Sequence, residues 1–312
     1  MSHKINYSTL QTGFDLLLFA CPLRKCYKID HMDELQKKFV EYLKSKSRAS
    51  ATVIAYGKDI NQVIDYLKKK GITSFTEATQ EDLNGFLAEL AAQNYTTKSI
   101  SRKINSLKTF FRFLVTEGAV SHNPAAEITH PKIESKPPRI LTPMEYRALR
   151  DASREDARIA AVIELLLQTG MRIGELAALT TKSVEDSTVR IPPIEGHPER
   201  EVPLNKAAKA ALDRYLSARA KAKSDALFIT KTGRPLLIRN IRSAIDRYFR
   251  LAGIKDAKVN DLRHTFIAHH LAAGASPVLV NKLVGHKRIA TTEKYLEFIK
   301  DLHLDKVKLE EL

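Results

Sequence analysis

Asn260-Asp261-Leu262-Arg263-His264, Leu283-Val284-Gly285-His286 and Thr291-Thr292-Glu293-Lys294-Tyr295 follow one another near the end of this 312-residue chain. The surrounding apolar periodicity predicts helices over about residues 261–273, 277–284 and 292–304. Gly274, Ser276-Pro277 and Gly285 punctuate them as a C-terminal glycine, an N-cap with proline, and a second C-terminal glycine. Twenty-three positions separate Arg263 from His286, and nine separate His286 from Tyr295. Upstream, Thr169-Gly170-Met171-Arg172-Ile173-Gly174-Glu175-Leu176 closes an apolar stretch, residues 159–167, in which Glu164 is the one charge. That stretch predicts a central buried helix stopped at Gly170.

These segments supply a coherent set of chemical groups. A phosphodiester carries one negative charge and gains more in a pentavalent transition state. Two always-charged, forked guanidinium groups suit its non-bridging oxygens, and Arg172 and Arg263 fit that role. His286 adds a hydrogen-bond donor, and Tyr295 a hydroxyl nucleophile that divides one substitution into two. A tyrosine titrates near 10, so it needs cations or a proton acceptor beside it. Taken singly, each has a plainer reading: Arg172 a helix-start cation, Arg263 an ion-pair partner of Asp261, His286 a helix cap, Tyr295 an amphipathic-helix residue beside Leu296 and Phe298.

In that order and spacing the chain resembles the tyrosine recombinase (phage integrase) family, most nearly its Xer-like and integrase members, over about residues 33–305. The resemblance implies a mostly α fold with a small β-sheet: an N-terminal four-helix, SAM-like core-binding domain and an α+β catalytic domain. It implies Tyr295 as nucleophile, Arg172, Arg263 and His286 at the phosphate, and a covalent 3′-phosphotyrosine with a freed 5′ hydroxyl. No cofactor, metal or nucleotide is implied, because the phosphodiester energy is kept in the enzyme–DNA bond. Glu175 is carried over as a support for the arginine segment. The implied partners are double-stranded DNA and further copies of the chain, as a tetramer on two DNA sites, or a paralogous recombinase.

Two positions depart from the family pattern. Asn260 stands where His begins the family's His-x-x-Arg and is carried over as a further catalytic-site residue; its amide can hydrogen-bond to phosphate but cannot shuttle a proton at neutral pH. The hairpin run Glu199-Arg200-Glu201-Val202-Pro203-Leu204 is present, but Glu195 occupies the position of the family's catalytic lysine. No lysine lies between Lys182 and Lys206. The family uses that lysine as general acid for the leaving 5′ oxygen, a contribution typically worth about 10²–10⁴ in rate. His197 or Arg200, in a flexible turn, or a lysine reaching in from elsewhere, is expected to replace it. The competing functions are a catalytically weakened DNA-binding protein on the same scaffold and, more distantly, a type IB topoisomerase-like nicking enzyme.

The hairpin strands are expected at residues 188–191 and 201–204, with a further strand at 226–230. Helices are expected from 206 to about 221 and 239 to 251, and Thr142 with Glu145 predicts a capping box. The first part of the chain reads as four helices. Leu35, Phe39, Tyr42 and Leu43 stripe the first, and Val53, Tyr56, Ile60, Val63 and Leu67 the second. Thr79 caps a third, and a fourth runs from 97 to 116 with Ile100, Ile104, Leu107, Phe111 and Leu114 inward. The other faces of that fourth helix carry Lys98, Arg102, Lys103, Lys108 and Arg112, the expected DNA-binding residues; a solvated face is the plainer alternative. Residues 122–140, with Pro124, Pro131, Pro137 and Pro138 among basic residues, read as a linker. The expected organisation is an N-terminal extension at 1–31, a core-binding domain at 32–121, the linker at 122–140, a catalytic domain at 141–305 and a tail at 306–312. The tail, with Lys306 and Lys308, is a candidate for docking into a neighbouring copy. Regular periodicity begins abruptly at Met32, which favours translated upstream sequence over a docking extension for residues 1–31.

Composition agrees with a polyanionic partner: 51 Lys and Arg against 36 Asp and Glu leave a net charge of +15. No run approaches the ~18 apolar residues of a spanning helix, so no membrane role is expected. Cys21 and Cys26 are the only cysteines, which rules out a disulfide scaffold and suits a reducing, cytoplasmic compartment. Neither that pair nor His264, His269, His270 and His286 has metal-ligand spacing, so no metal is expected.

Overall fold

The computed structural model describes residues 32–133, 136–194 and 196–299. Residues 1–31, 134, 135, 195 and 300–312 lie outside the described residues, and with them Cys21, Cys26, the tail and the stretch 300–304 expected to be helical. The chain divides into two compact units, the first ending at Ile133.

The first unit is built from α1 (Met32–Ser45), α2 (Ser50–Lys69), α3 (Gln80–Ala92) and α4 (Thr97–Thr116). Thr79 caps α3 in a reciprocal box with Asp82, and Thr96 caps α4. Phe39, Phe75, Phe110, Phe111 and Phe113 meet in tilted and edge-on contacts at the centre, with Ile60, Leu67 and Leu83 packed around them. Ala125 and Ile128 also belong to this core, so the stretch read as linker begins by packing on the first unit.

One expectation for α4 is corrected. Lys103 does not lie on an outer face: it is 3% exposed. At about 100° per residue it falls roughly 140° around the helix from Lys98, in the middle of the apolar stripe. Its ammonium is neutralised there by Asp59 of α2 at 2.8 Å, is bonded to Gln62, and lies 5.3 Å from the Tyr95 ring centroid. Arg102 shares the Asp59 carboxylate from a half-exposed position. Lys98 and Arg112 are exposed and Lys108 half-buried.

The second unit contains α5 (Pro143–Ser153), α6 (Ala157–Thr169), α7 (Ile173–Ala178), the antiparallel pair β1 (Thr188–Ile191) and β2 (Arg200–Pro203), α8 (Lys206–Ala218), α9 (Ile238–Leu251), α10 (Val259–Ala272), α11 (Pro277–Val284) and α12 (Ile289–Ile299). Thr142 and Glu145 form the expected capping box. Every residue of α6 from Ile159 to Thr169 is buried, and α5, α8, α9 and α10 pack around it. In β1, Val189 and Ile191 face the core, and Val202 opposes Val189 from β2. The fold is thus mostly helical with one two-stranded sheet among the described residues.

The strand expected at 226–230 is not formed. That segment makes only single bridges, Thr180 with Ala226 and Ile229 with Pro235. Its main chain pairs piecemeal: Leu227 N donates to Leu179 O, Leu236 N to Phe228 O and Thr230 N to Arg234 O, and two side chains serve further groups. Tyr215 Oη donates to Leu227 O and accepts from Ile229 N, while Arg219 donates to the carbonyls of Ser224, Ala226 and Leu227. Buried main-chain groups need partners, and here they find them on two separate segments and two side chains rather than along one continuous strand.

Candidate active site

The arrangement begins at two helix C-termini. α6 ends on Gly170 in the left-handed conformation, φ 61°. This turns the Gly170 carbonyl toward α10, where Arg263 Nη1 donates to it at 2.6 Å. A Cβ at Gly170 would lie 2.5 Å from Phe266 Cδ1, so close approach and backbone geometry both require glycine. α11 ends the same way on Gly285, φ 67°, and Arg172 Nη2 donates to its carbonyl at 3.1 Å. Each arginine is therefore held at the negative end of a helix dipole by a main-chain acceptor.

Glu175, 1% exposed, ties the two sides together. Its carboxylate accepts from Arg172 N at 2.8 Å and Arg172 Nη1 at 2.9 Å, and from Arg200 Nη1 and Nη2 at 3.0 and 2.7 Å. Burial alone would raise the Glu175 pKa, but the hydrogen bonds from Arg200 and Arg172 outweigh it and hold it at about 2. Arg200 is a correction: it starts β2, is nearly buried, and is locked bidentately on Glu175 and on Leu283 O at 2.8 Å. It is not a free group in a flexible turn, and a committed guanidinium is a poor proton donor. Glu175 thus carries the support role expected of it, with Arg200 as its second partner.

Arg263 is 5% exposed, and its Nη2 has no hydrogen-bond partner among the described residues. Burial, then the positive charge of Arg172, lowers its pKa to about 9, so it stays charged at neutral pH. Asp261 is not its ion-pair partner; that carboxylate accepts from Lys258 N at 2.7 Å and caps α10. His286, just past Gly285, bonds through Nδ1 to Thr292 Oγ1 at 2.8 Å, and Thr292 in turn donates to Asn281. Burial, then Arg263 and Arg172, pushes the His286 pKa down to about 3, so the ring is neutral until a negative charge arrives.

Tyr295 lies on the inner face of α12, 8% exposed, packed with Phe266, Ile267, Val280 and Val284. Its ring is 6.4 Å from that of His286. Its hydroxyl is 2.5 Å from Nδ1 of His264, whose Nε2 is 2.8 Å from the Asn260 amide, one turn earlier on α10. Burial raises the Tyr295 pKa, and Arg263 only partly opposes it. The sequence offered His264 only as one of several histidines. The four-residue step from Asn260 to His264 was visible, but not that this face of α10 meets Tyr295.

The hairpin turn is closed by two main-chain bonds, His197 N to Ile194 O at 2.8 Å and Ile194 N to His197 O at 3.1 Å. A Cβ on Gly196 would lie 3.2 Å from Lys287 Nζ, so the residue after His286 brings its ammonium to the hairpin tip. His197 is pushed below the ordinary histidine range by burial, then by Arg172 and Lys287. Among the described residues no group of three or more His, Cys, Asp or Glu could hold a metal ion, and no helix is long and apolar enough to cross a membrane.

The sequence matches the Phage integrase family over residues 139–300 and the phage integrase N-terminal SAM-like domain over residues 37–118. It is 32% identical over 279 residues to the tyrosine recombinase XerC of Roseiflexus sp. (strain RS-1), covering 85% of this chain and 89% of that protein. It is 30% identical over 289 residues to the tyrosine recombinase XerC of Bacillus subtilis (strain 168), covering 88% and 95%. In fold it is similar to a lambda integrase dimer bound to a COC′ core site, with TM-score 0.71, 17% identity, and coverage of 90% of this chain and 81% of that one. It is likewise similar to the Tn1549 transposon integrase in complex with a circular intermediate DNA, with TM-score 0.70, 19% identity, and coverage of 85% and 94%. Matches over both units, at this identity and along nearly the whole length of the relatives, make the chain a member of the phage integrase family of tyrosine recombinases.

Proposed function

We propose that this protein is a site-specific DNA recombinase that cuts and rejoins strands through a 3′-phosphotyrosine bond on Tyr295. The observation that carries the reading is the gathering of Arg172, Arg263, His286 and Tyr295, from separate elements of the second unit, around Glu175 and the two glycine caps. Arg172 and Arg263 hold the non-bridging oxygens of the scissile phosphate, and the charge that grows there strengthens both contacts. The arriving phosphate raises the His286 pKa against the two arginines, so His286 becomes a third donor when the phosphate is in place. Lys287 is the side chain best placed to protonate the leaving 5′ oxygen in place of the absent lysine. His197 is weaker in that role, because a depressed pKa leaves it without a proton to give.

The first unit binds the duplex. Lys98, Lys108 and Arg112 of α4, with Arg102 at its edge, contact phosphates, and affinity falls steeply with salt. The residue ranges expected from the sequence, 32–121 for DNA binding and 141–305 for catalysis, are retained as the working division. The working assembly is a tetramer on two DNA sites, of this chain alone or with a paralogue.

The test uses duplex selected from a random pool by the protein itself, then nicked beside the bound site. Wild type is expected to give a denaturation-resistant protein–DNA adduct, absent in Tyr295→Phe. A shifted but uncut duplex would instead identify a binding protein on this scaffold.

A further inference from the structure

The Tyr295 side chain is buried in an apolar cluster, and its hydroxyl holds its proton more tightly than that of a free tyrosine. Attack on phosphorus needs that proton gone, and Asn260, at the first position of Asn-x-x-Arg, has no site to receive it. One helical turn on, His264 lies against both groups: Nδ1 to Tyr295 Oη at 2.5 Å and Nε2 to the Asn260 amide at 2.8 Å. We propose that His264 is the proton acceptor for Tyr295, oriented by Asn260. The inference rests on the recombinase reading above.

The hydrogen bonds permit this through one rotation. With the Asn260 amide nitrogen facing Nε2, the neutral ring carries its proton on Nδ1 and donates to Oη. A half-turn of the amide presents its oxygen, which accepts from Nε2–H and leaves the Nδ1 lone pair facing the phenol. Histidine, nucleophile and orienting amide then form the same chain that other enzymes use to activate a thiol or hydroxyl.

The charged and titratable groups facing His264 are Asp261 and Arg263 on α10, His286 beyond α11, and Tyr295 on α12. Burial, the largest influence, keeps the ring neutral and able to accept; Asp261 and Arg263 pull in opposite directions.

In the forward step the Oη proton moves to Nδ1 as the Oη–P bond forms. The P–O5′ bond breaks, and its electron pair, with a proton from the general acid, becomes the 5′ hydroxyl. In the return step a 5′ hydroxyl gives its proton back to the general acid's conjugate base as it attacks phosphorus, the Oη–P bond breaks, and Nδ1 returns its proton to Tyr295. His264 thus serves as base and then acid, and is regenerated over the pair of steps.

The test is single-turnover adduct formation by the full-length His264→Gln and His264→Ala variants, with DNA binding and circular dichroism checked on both. At neutral pH both are expected to slow cleavage by about 10²–10⁴ while still shifting DNA. Their rates are expected to climb with pH toward the ionisation of Tyr295, where wild type is level. The defect should persist on a 5′-bridging phosphorothiolate, whose sulfur leaves without a proton, and imidazole should partly restore His264→Ala. Cleavage at the wild-type rate, a pH profile parallel to wild type, or a defect erased by the sulfur substrate would each overturn the assignment. Because wild type and Tyr295→Phe run beside them, failure of the recombinase reading appears separately, as absence of any wild-type adduct.

Discussion

Nη1 of Arg263 donates to the main-chain carbonyl of Gly170 across 93 positions of sequence. The helix stop and the arginine proposed to bind the phosphate are therefore one structural unit. Gly170→Ala places a Cβ 2.5 Å from Phe266 Cδ1 on a left-handed backbone. It is expected to cost about 2–5 kcal/mol in urea unfolding, from backbone strain and overpacking together. Adduct formation by the folded fraction should fall as well, because Arg263 loses its anchor. A variant equal to wild type in both measurements would separate the cap from the arginine.

Acid should destabilise the second unit from below about pH 6.5. His286 is held neutral at about 3 in the folded protein, so the unfolded chain binds a proton there first, and its share of stability is lost as pH falls from 6.5 toward 3. Glu175, depressed to about 2, contributes fully above its unfolded pKa and loses its share as pH falls through 2. Because Glu175 is almost fully buried, that share is on the order of 3 kcal/mol. Melting temperatures from pH 8 to 4 are expected to decline throughout the range below 6.5; a level profile down to pH 5 would contradict the neutral state of His286.

The place of the missing hairpin lysine is tested by leaving-group chemistry. Lys287→Ala is expected to slow cleavage by about 10²–10³ on ordinary DNA and by little on the 5′-phosphorothiolate. His197→Ala should stay within about threefold of wild type. A sulfur-rescued defect in His197→Ala, with Lys287→Ala unaffected, would reverse the two roles.

The basic residues of α4 divide by burial. Lys98→Ala combined with Arg112→Ala is expected to lower the log–log salt slope of DNA binding by about 2 without changing stability. Lys103→Ala should instead cost about 3 kcal/mol, because it strips a partner from the buried Asp59 carboxylate. An unchanged melting temperature in Lys103→Ala would show that Arg102 alone neutralises Asp59.

These contrasts mark what the sequence could convey. The span of α4, the Thr142 and Thr79 caps and the Gly170 and Gly285 stops were readable because each depends on residues within one or two turns. Lys103 was misplaced because its charge suggested solvent, whereas its angular position put it beside an acid on another helix. Residues 226–230 have the composition of a strand, but their main-chain bonds are divided among Leu179, residues 234–236 and the side chains of Tyr215 and Arg219, which nothing local reveals. Arg200 followed the same pattern, since nothing local reveals that Glu175, 25 positions earlier, occupies it. His264 and Lys287 stood in plain view beside expected site residues, but their relevance depends on how α10, α12 and the hairpin tip meet.

The Glu175 network also sets a charge balance. Arg172, Arg200 and Arg263 bring three positive charges and Glu175 removes one, which leaves these four groups at +2. A resting phosphodiester offers −1, so it is overmatched; the pentavalent species on the way to the tyrosyl ester approaches −2 and is matched. On the recombinase reading proposed above, discrimination in favour of the fleeting state over the bound substrate rests on a sum of formal charges, to which Arg200 contributes from its place on Glu175.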